Sequence, residues 1–260
     1  MIIALDMGNT NIVVGCIDDE KIYFTERIST DLKKTELEYA IAIKTVLELY
    51  NIDISDIHGA ILSSVVPPLD NIIKEAVYKV VNVKPVVVGP GLKNGLNLLM
   101  DNPKQVGSDL VVDAVATIRC YGYPAIIIDM GTATTISVVD KNGNYIGGAI
   151  LPGIRVSLES LTQGTAKLPK ISLEAPKHAI GKNTIDCMKS GIIYGNAACI
   201  DGMIDRIEEE LGYSAMIVAT GGFSKVVVPY CKHKIILDDE LLLKGLKFIY
   251  DKNRENRENR

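Results

Sequence analysis

Met1-Ile-Ile-Ala-Leu-Asp-Met-Gly-Asn-Thr-Asn-Ile-Val13 returns in altered form as Ala125-Ile-Ile-Ile-Asp-Met-Gly-Thr-Ala-Thr-Thr-Ile136. Each copy is an apolar run that ends in Asp-Met-Gly, passes through small polar residues and turns apolar again. Short apolar runs bounded by polar, glycine-containing turns read as strands of a hairpin. Aligning Asp6 with Asp129 matches Met7 with Met130, Gly8 with Gly131 and Asn11 with Thr134. The pattern predicts a duplicated domain with one polar hairpin turn per copy. Two such turns facing each other across a cleft would suit the phosphates of a nucleotide.

Outward from the first copy, Ile2–Leu5, Ile12–Ile17 and Ile22–Ile28 read as three consecutive strands. A helical period follows over Thr35–Asn51, with Asp31 or Thr35 available as cap. Gly59–Val66 reads as a buried strand stopped by Pro67 and Pro68, Asn71–Val81 as a helix and Pro85–Val88 as a strand. Outward from the second copy the order recurs: strands Ala125–Asp129, Thr135–Asp140 and Asn144–Leu151, then helices near Ile154–Leu161 and Thr184–Leu211, and strand Met216–Thr220. Gly107–Tyr121 and Leu241–Tyr250 complete the helices. Three strands followed by helical crossovers imply an α/β fold with mixed sheets. The two halves are placed at 1–115 and 116–260. The terminal Lys252–Arg260 run, polar and charged, reads as a frayed helix end.

Composition narrows the function. The 260 residues carry 47% hydrophobic side chains, enough for a large core, and a net charge of -4. An acidic balance with no Trp and three Phe offers neither a phosphate-binding surface for nucleic acid nor a base-stacking platform. The five cysteines form no CxxC pair and fit a reducing cytosol. No apolar stretch nears the roughly 20 residues of a membrane helix, and Asp6 interrupts the opening run as a signal peptide would not be interrupted. His58, His178 and His233 show no metal-ligand spacing.

Five segments can carry chemistry. Asp6-Met7-Gly8-Asn9-Thr10-Asn11 joins a strand-end carboxylate to outward backbone amides, able to hold a hydrated metal against phosphate; an ordinary polar hairpin is the alternative. Asp129-Met-Gly-Thr-Ala-Thr-Thr135 repeats it, with hydroxyls on Thr132, Thr134 and Thr135, the last two equally readable as strand formers, and a bound cation would give Asp129 a partner. Gly107-Ser108-Asp109-Leu110 opens a helix, where Ser108 or Asp109 serves as a cap, or Asp109 as a base for a substrate hydroxyl. Gly221 and Gly222, within Ala219-Thr-Gly-Gly-Phe-Ser224, either make a plain turn or admit a flat ligand. Downstream, Gly147–Gly153, Thr165–Pro169 and Ile180–Thr184 supply bends, with Lys182 and Thr184 as substrate contacts or loop decoration.

On these residues the chain resembles the type III pantothenate kinases, members of the acetate kinase, sugar kinase, heat-shock ATPase and actin superfamily. DMGNTN resembles the first phosphate motif and DMGTATT the second, while GGAILPG, TAKLP, IGKNT and ATGGFS match further family segments in order. The resemblance implies duplicated ribonuclease H-like (actin-like ATPase) domains with an ATP cleft between the halves. It implies ATP-dependent phosphorylation of pantothenate to 4'-phosphopantothenate, the first step to coenzyme A, in a cytoplasmic homodimer. By resemblance, Asp6 through Val13, including Ile12, line the ATP phosphate site, and Asp6 helps hold magnesium. Asp109 is the general base, Asp129 binds potassium or ammonium, and Thr132, Gly221 and Gly222 touch ATP. Met100, Gly107, Ser108, Asp109, Leu110 and Thr184 contact pantothenate. The chain departs from the family's Gly-Ala-Asp-Arg at Ser108 and Leu110, and carries Met100 where an aromatic residue is usual. Those changes leave open a non-catalytic ATP-binding homologue, or a kinase for another small acceptor.

Overall fold

The computed structural model describes residues 1–165 and 167–258, with side chains through Arg254. Ala166, within the TAKLP segment, and the last two residues of the terminal run lie outside the described residues. Along the chain the elements are β1 (Ile2–Met7), β2 (Asn11–Ile17), β3 (Ile22–Ser29), α1 (Glu36–Leu49), β4 (Gly59–Ser64), α2 (Asp70–Val81), β5 (Val86–Val87), β6 (Asn97–Leu98) and α3 (Ser108–Cys120). There follow β7 (Ala125–Met130), β8 (Ala133–Val139), β9 (Asn144–Pro152), α4 (Ile154–Gln163), α5 (Thr184–Leu211), β10 (Met216–Thr220), α6 (Ser224–Val227), β11 (Ile236–Leu237) and α7 (Leu241–Glu258).

The contacts divide into two compact units: Met1–Leu96 with Asp101–Arg119 and Glu240–Arg260, and Asn97–Met100 with Cys120–Asp239. The first unit is built on a sheet of order β3-β2-β1-β4-β5, with β1 antiparallel to β2 and parallel to β4. All six residues of β1 are buried, as expected of a strand covered on both faces. One face, through Ile3, Leu5, Met7, Val14, Ala60 and Leu62, packs on α1 and α2. Thr35 caps α1 in a reciprocal box with Glu38, so of the two caps expected from sequence Thr35 is the one used.

The opposite face of the same sheet receives α7, which a division of the sequence at residue 115 places in the second half. The reason lies in two residues without side chains. A Cβ on Gly15 would stand 2.5 Å from Leu243 Cδ1, and one on Gly59 would collide with the Tyr250 ring. The bare backbone at both positions lets α7 lie close on β2 and β4. Arg119 adds a cation–π contact, its guanidinium carbon 5.4 Å from the Phe248 ring centroid, and so ties α3 to α7. Gly15→Ala is expected to cost about 1–3 kcal/mol by overpacking this seam. Differential scanning calorimetry would read this as a fall of roughly 2–4 °C per kcal/mol; an unchanged melting temperature would refute close packing there.

The second unit repeats the plan as β9-β8-β7-β10-β11, with β6 added beside β9. The 28-residue α5, capped by Asn183, lays Ile192, Ile193, Ala197, Ile200 and Ile204 against Ile126, Ile128 and Ile217. Two-residue β6 and β11 and four-residue α6 have no counterpart in the sequence reading; segments this short carry no period. Strand pairing also corrects the alignment of the two copies. Met7 pairs with Ile12, whereas Met130 pairs with Thr134. The second turn is therefore one residue shorter, and Thr134 corresponds to Ile12 rather than to Asn11.

Candidate active site

Each copy of the motif sets its carboxylate at the end of its sheet's first strand. In the first unit Asp6, 9% exposed, lies opposite Val13 on β2 and Ser63 on β4. Beyond it the turn closes by Gly8 N–H donating to Asn11 O at 3.0 Å and Thr30 Oγ1 donating to Gly8 O at 2.7 Å. The side chains of Asn9, Thr10 and Asn11 stand exposed on this turn, Ile12 turns into the core and Val13 is half-buried. A turn of exposed polar side chains and close-set amides, ending a strand that carries a buried carboxylate, is chemistry suited to phosphate oxygens with a cation.

The same unit brings α3 to this strand end. Ser108 Oγ lies 2.9 Å from Ser63 Oγ, accepts from Ser64 N at 3.1 Å and donates to Ser64 O at 3.0 Å. Ser64 Oγ in turn donates to Asp70 Oδ1 and accepts from Val66 N at 3.1 Å. Asp109 follows Ser108 in the first turn of α3. Its Oδ1 accepts from Leu110 N at 2.9 Å. Burial raises the Asp109 pKa above the usual carboxylate value, while the backbone donors of Leu110 and Asp109 pull the other way and are outweighed. The structure thus joins Asp6, Gly107, Ser108 and Asp109 in one unit. Ser63 and Ser64 are additions that the sequence reading passed over. Their signal was there: a polar pair ending a buried parallel strand, at the carboxyl end where α/β sheets place ligands.

In the second unit, β7 aligns Asp129 with Thr135 on β8 and Thr220 on β10. Gly131 N–H donates to Ala133 O at 3.0 Å, the shorter equivalent of the first turn. Gly221, with φ +91°, presses against this strand end: a Cβ there would stand 2.5 Å from Met130 N. Phe223 N–H donates to Met130 O at 3.1 Å, closing the Gly221-Gly222 loop onto β7. Asp129, Gly131 and Gly221 are therefore assembled together, with Thr132 and Gly222 exposed beside them. Thr134 is 2% exposed and its hydroxyl has no hydrogen-bond partner, the consequence of occupying the Ile12 position. Met100 Sδ lies 3.6 Å from where a Gly147 Cβ would be, and Thr184 is the exposed first residue of α5.

No three His, Cys, Asp or Glu residues cluster for a metal among the described residues. His58 and His178 are exposed, and His233 instead meets Asp205 Oδ1 at 2.8 Å. No helix among the described residues is long and apolar enough to cross a membrane.

The family model for type III pantothenate kinase matches residues 2–206. A type III pantothenate kinase of Halalkalibacterium halodurans is 42% identical over 253 residues, 97% of this chain and 100% of that protein. One from an Exiguobacterium species is 44% identical over 255 residues, 98% of this chain and 100% of that protein. The activator of the 2-hydroxyisocaproyl-CoA dehydratase from Clostridium difficile, solved with bound ADPNP, shares the fold with a TM-score of 0.57 at 14% identity, covering 100% of this chain and 97% of that one. With two units built on one strand order, a carboxylate and glycine turn at each strand end, and close identity to named relatives along nearly its whole length, the chain belongs to the type III pantothenate kinase family.

Proposed function

We propose that this chain transfers the γ-phosphoryl group of ATP to the primary hydroxyl of pantothenate, giving 4'-phosphopantothenate at the start of coenzyme A synthesis. Membership of the family supports the reaction. The observation that carries the residue roles is the convergence of Asp6, Ser63 and Ser108, with Asp109 next in chain, at one strand end.

Asp109 takes the proton of the pantothenate hydroxyl. A carboxyl raised by burial is a stronger base than a surface aspartate, which favours that transfer near neutral pH. The turn from Gly8 to Val13 holds the phosphates through its amides and the Asn9, Thr10 and Asn11 side chains. Catalysis rests on positioning and charge neutralisation rather than on covalent chemistry. A strand-end carboxylate beside a phosphate-binding turn fits magnesium, which keeps several waters and is held by one or two carboxylates plus phosphate oxygens. Asp6 would hold it there, and magnesium would supply neutralisation of the phosphate charge. Asp129, beside Gly131 and Gly221, would hold the monovalent cation, potassium or ammonium. Thr132, Gly221 and Gly222 contact ATP. Met100, Gly107, Leu110 and Thr184 contact pantothenate, and Ser108 does so through its backbone, its hydroxyl being engaged by β4. The working form in this reading is a cytoplasmic homodimer.

The test is ADP release from purified protein supplied with ATP, magnesium and potassium, with and without pantothenate. Release that needs pantothenate, and is lost when sodium replaces potassium, is the expected result. Release independent of pantothenate would mean that water takes the phosphoryl group, and activity indifferent to the cation would remove the role given to Asp129.

A further inference from the structure

We propose that Ser63 and Ser108 form a hydroxyl clasp that positions Asp109, with Ser108 the positioning residue, a role that rests on the kinase reading above.

The hydrogen-bond arithmetic is closed. Ser64 O can only accept, so the single Ser108 hydroxyl proton goes there, over 3.0 Å. The Ser108 oxygen then accepts twice, from Ser64 N–H at 3.1 Å and from the Ser63 hydroxyl at 2.9 Å. One side chain on the first turn of α3 thus satisfies both backbone groups of the last residue of β4 and a hydroxyl that is 0% exposed. Asp109 is the next residue, and consecutive Cα atoms stand about 3.8 Å apart. The origin of its side chain is therefore fixed to the sheet rather than to the segment that precedes it.

That segment is poorly suited to the task, since residues 101–105 are exposed. β4 is well suited, because Ser63 is the register partner of Asp6 on β1. The clasp consequently ties the base to the same strand end that carries the phosphate-site carboxylate. Among the described residues the second unit shows no such hydroxyl pair at the matching strand end. Opposite Asp129 stands Thr220, and the next residue, Gly221, packs its backbone against β7. Among the described residues the device stands in the copy that carries Asp109. It matters because catalysis by orientation loses as much as about 100-fold for a misplacement near 1 Å.

The experiment compares wild type with Ser63→Ala, Ser108→Ala and the double variant by steady-state kinetics, together with melting temperatures. Ser108→Ala is expected to lower kcat about ten-fold and leave the KM for ATP within about two-fold, because the turn from Gly8 to Val13 is untouched. The double variant should be no slower than Ser108→Ala, since both changes open one clasp. A kcat within two-fold of wild type in Ser108→Ala would overturn the proposal. So would losses that multiply in the double variant, or a kcat restored by cooling the assay by the measured fall in melting temperature. A wild type without pantothenate-dependent ADP release would overturn the kinase reading and the clasp together, whereas an active wild type with an unaffected Ser108→Ala overturns the clasp alone.

Discussion

Asp109→Asn is expected to abolish pantothenate-dependent turnover, by about 100-fold to 10,000-fold, while ATP binding stays within a few-fold of wild type. The amide keeps the shape of the carboxylate and can still accept from Leu110 N–H, so the start of α3 is preserved. What it loses is basicity. Binding measured by calorimetry, set beside turnover, separates the two effects. Retention of more than a tenth of the activity would mean that another group takes the proton.

The same substitution carries a signature in stability, of opposite sign. Burial holds the Asp109 carboxyl above its ordinary value. Below the ordinary aspartate pKa of about 3.9 it is protonated whether the chain is folded or unfolded and contributes nothing. As pH rises past that value the unfolded chain ionises first, so the folded state loses relative stability until pH exceeds the raised value. At neutral pH the native charge is therefore a cost that Asp109→Asn removes. Its melting temperature should equal or exceed wild type at pH 7, with the difference vanishing in acid. If Asp109 is the base, as proposed, catalysis is expected to follow the same titration: kcat/KM should fall as pH drops through the raised value, with an acid limb above that of a surface aspartate. A variant both inactive and markedly less stable at pH 7 would contradict this account, because it would make Asp109 a structural residue.

Gly221→Ala should have the largest effect on the second unit. Its φ of +91° is strained for any residue with a Cβ, and that Cβ would lie 2.5 Å from Met130 N and 2.7 Å from Met130 C. Backbone atoms cannot swing aside as a side-chain end does. Strain and displacement together are expected to destabilise by about 3 kcal/mol or more. The strand end that carries Asp129 must also move, so the folded fraction should lose the response to potassium proposed for that carboxylate. Gly191→Ala is the counterpart within the same unit. Gly191 lies in the interior of α5, and a Cβ added there meets nothing within 4 Å. Replacing a helix-interior glycine by alanine stabilises by roughly 0.5–1 kcal/mol. Melting temperatures moving in opposite directions for the two variants would support this reading. A tolerated Gly221→Ala with an intact potassium response would sink it.

Much of the architecture was legible from residue order alone. The duplicated Asp-Met-Gly marked both central strands, and α5 and β10 fall at Thr184–Leu211 and Met216–Thr220 as the pattern predicts. Such features are local: a strand or helix announces itself through the spacing of its own apolar residues and caps. Asp6, Asp109 and Asp129 were visible for the same reason, as carboxylates at the ends of apolar runs or at a helix start.

Three features were decided only by the tertiary structure. The last helix belongs with the first unit because Gly15 and Gly59, far from it in sequence, leave room for Leu243 and Tyr250. The second turn is one residue shorter than the first, a fact set by strand register, which puts the Thr134 hydroxyl where the first copy buries Ile12. Ser63, an unremarked residue at a strand end, meets Ser108 across 45 positions of sequence. Periodicity reports which way a side chain faces within its own element. It holds no information on which distant backbone will lie close enough to meet it, and that is settled by the close approach of whole elements in the folded chain.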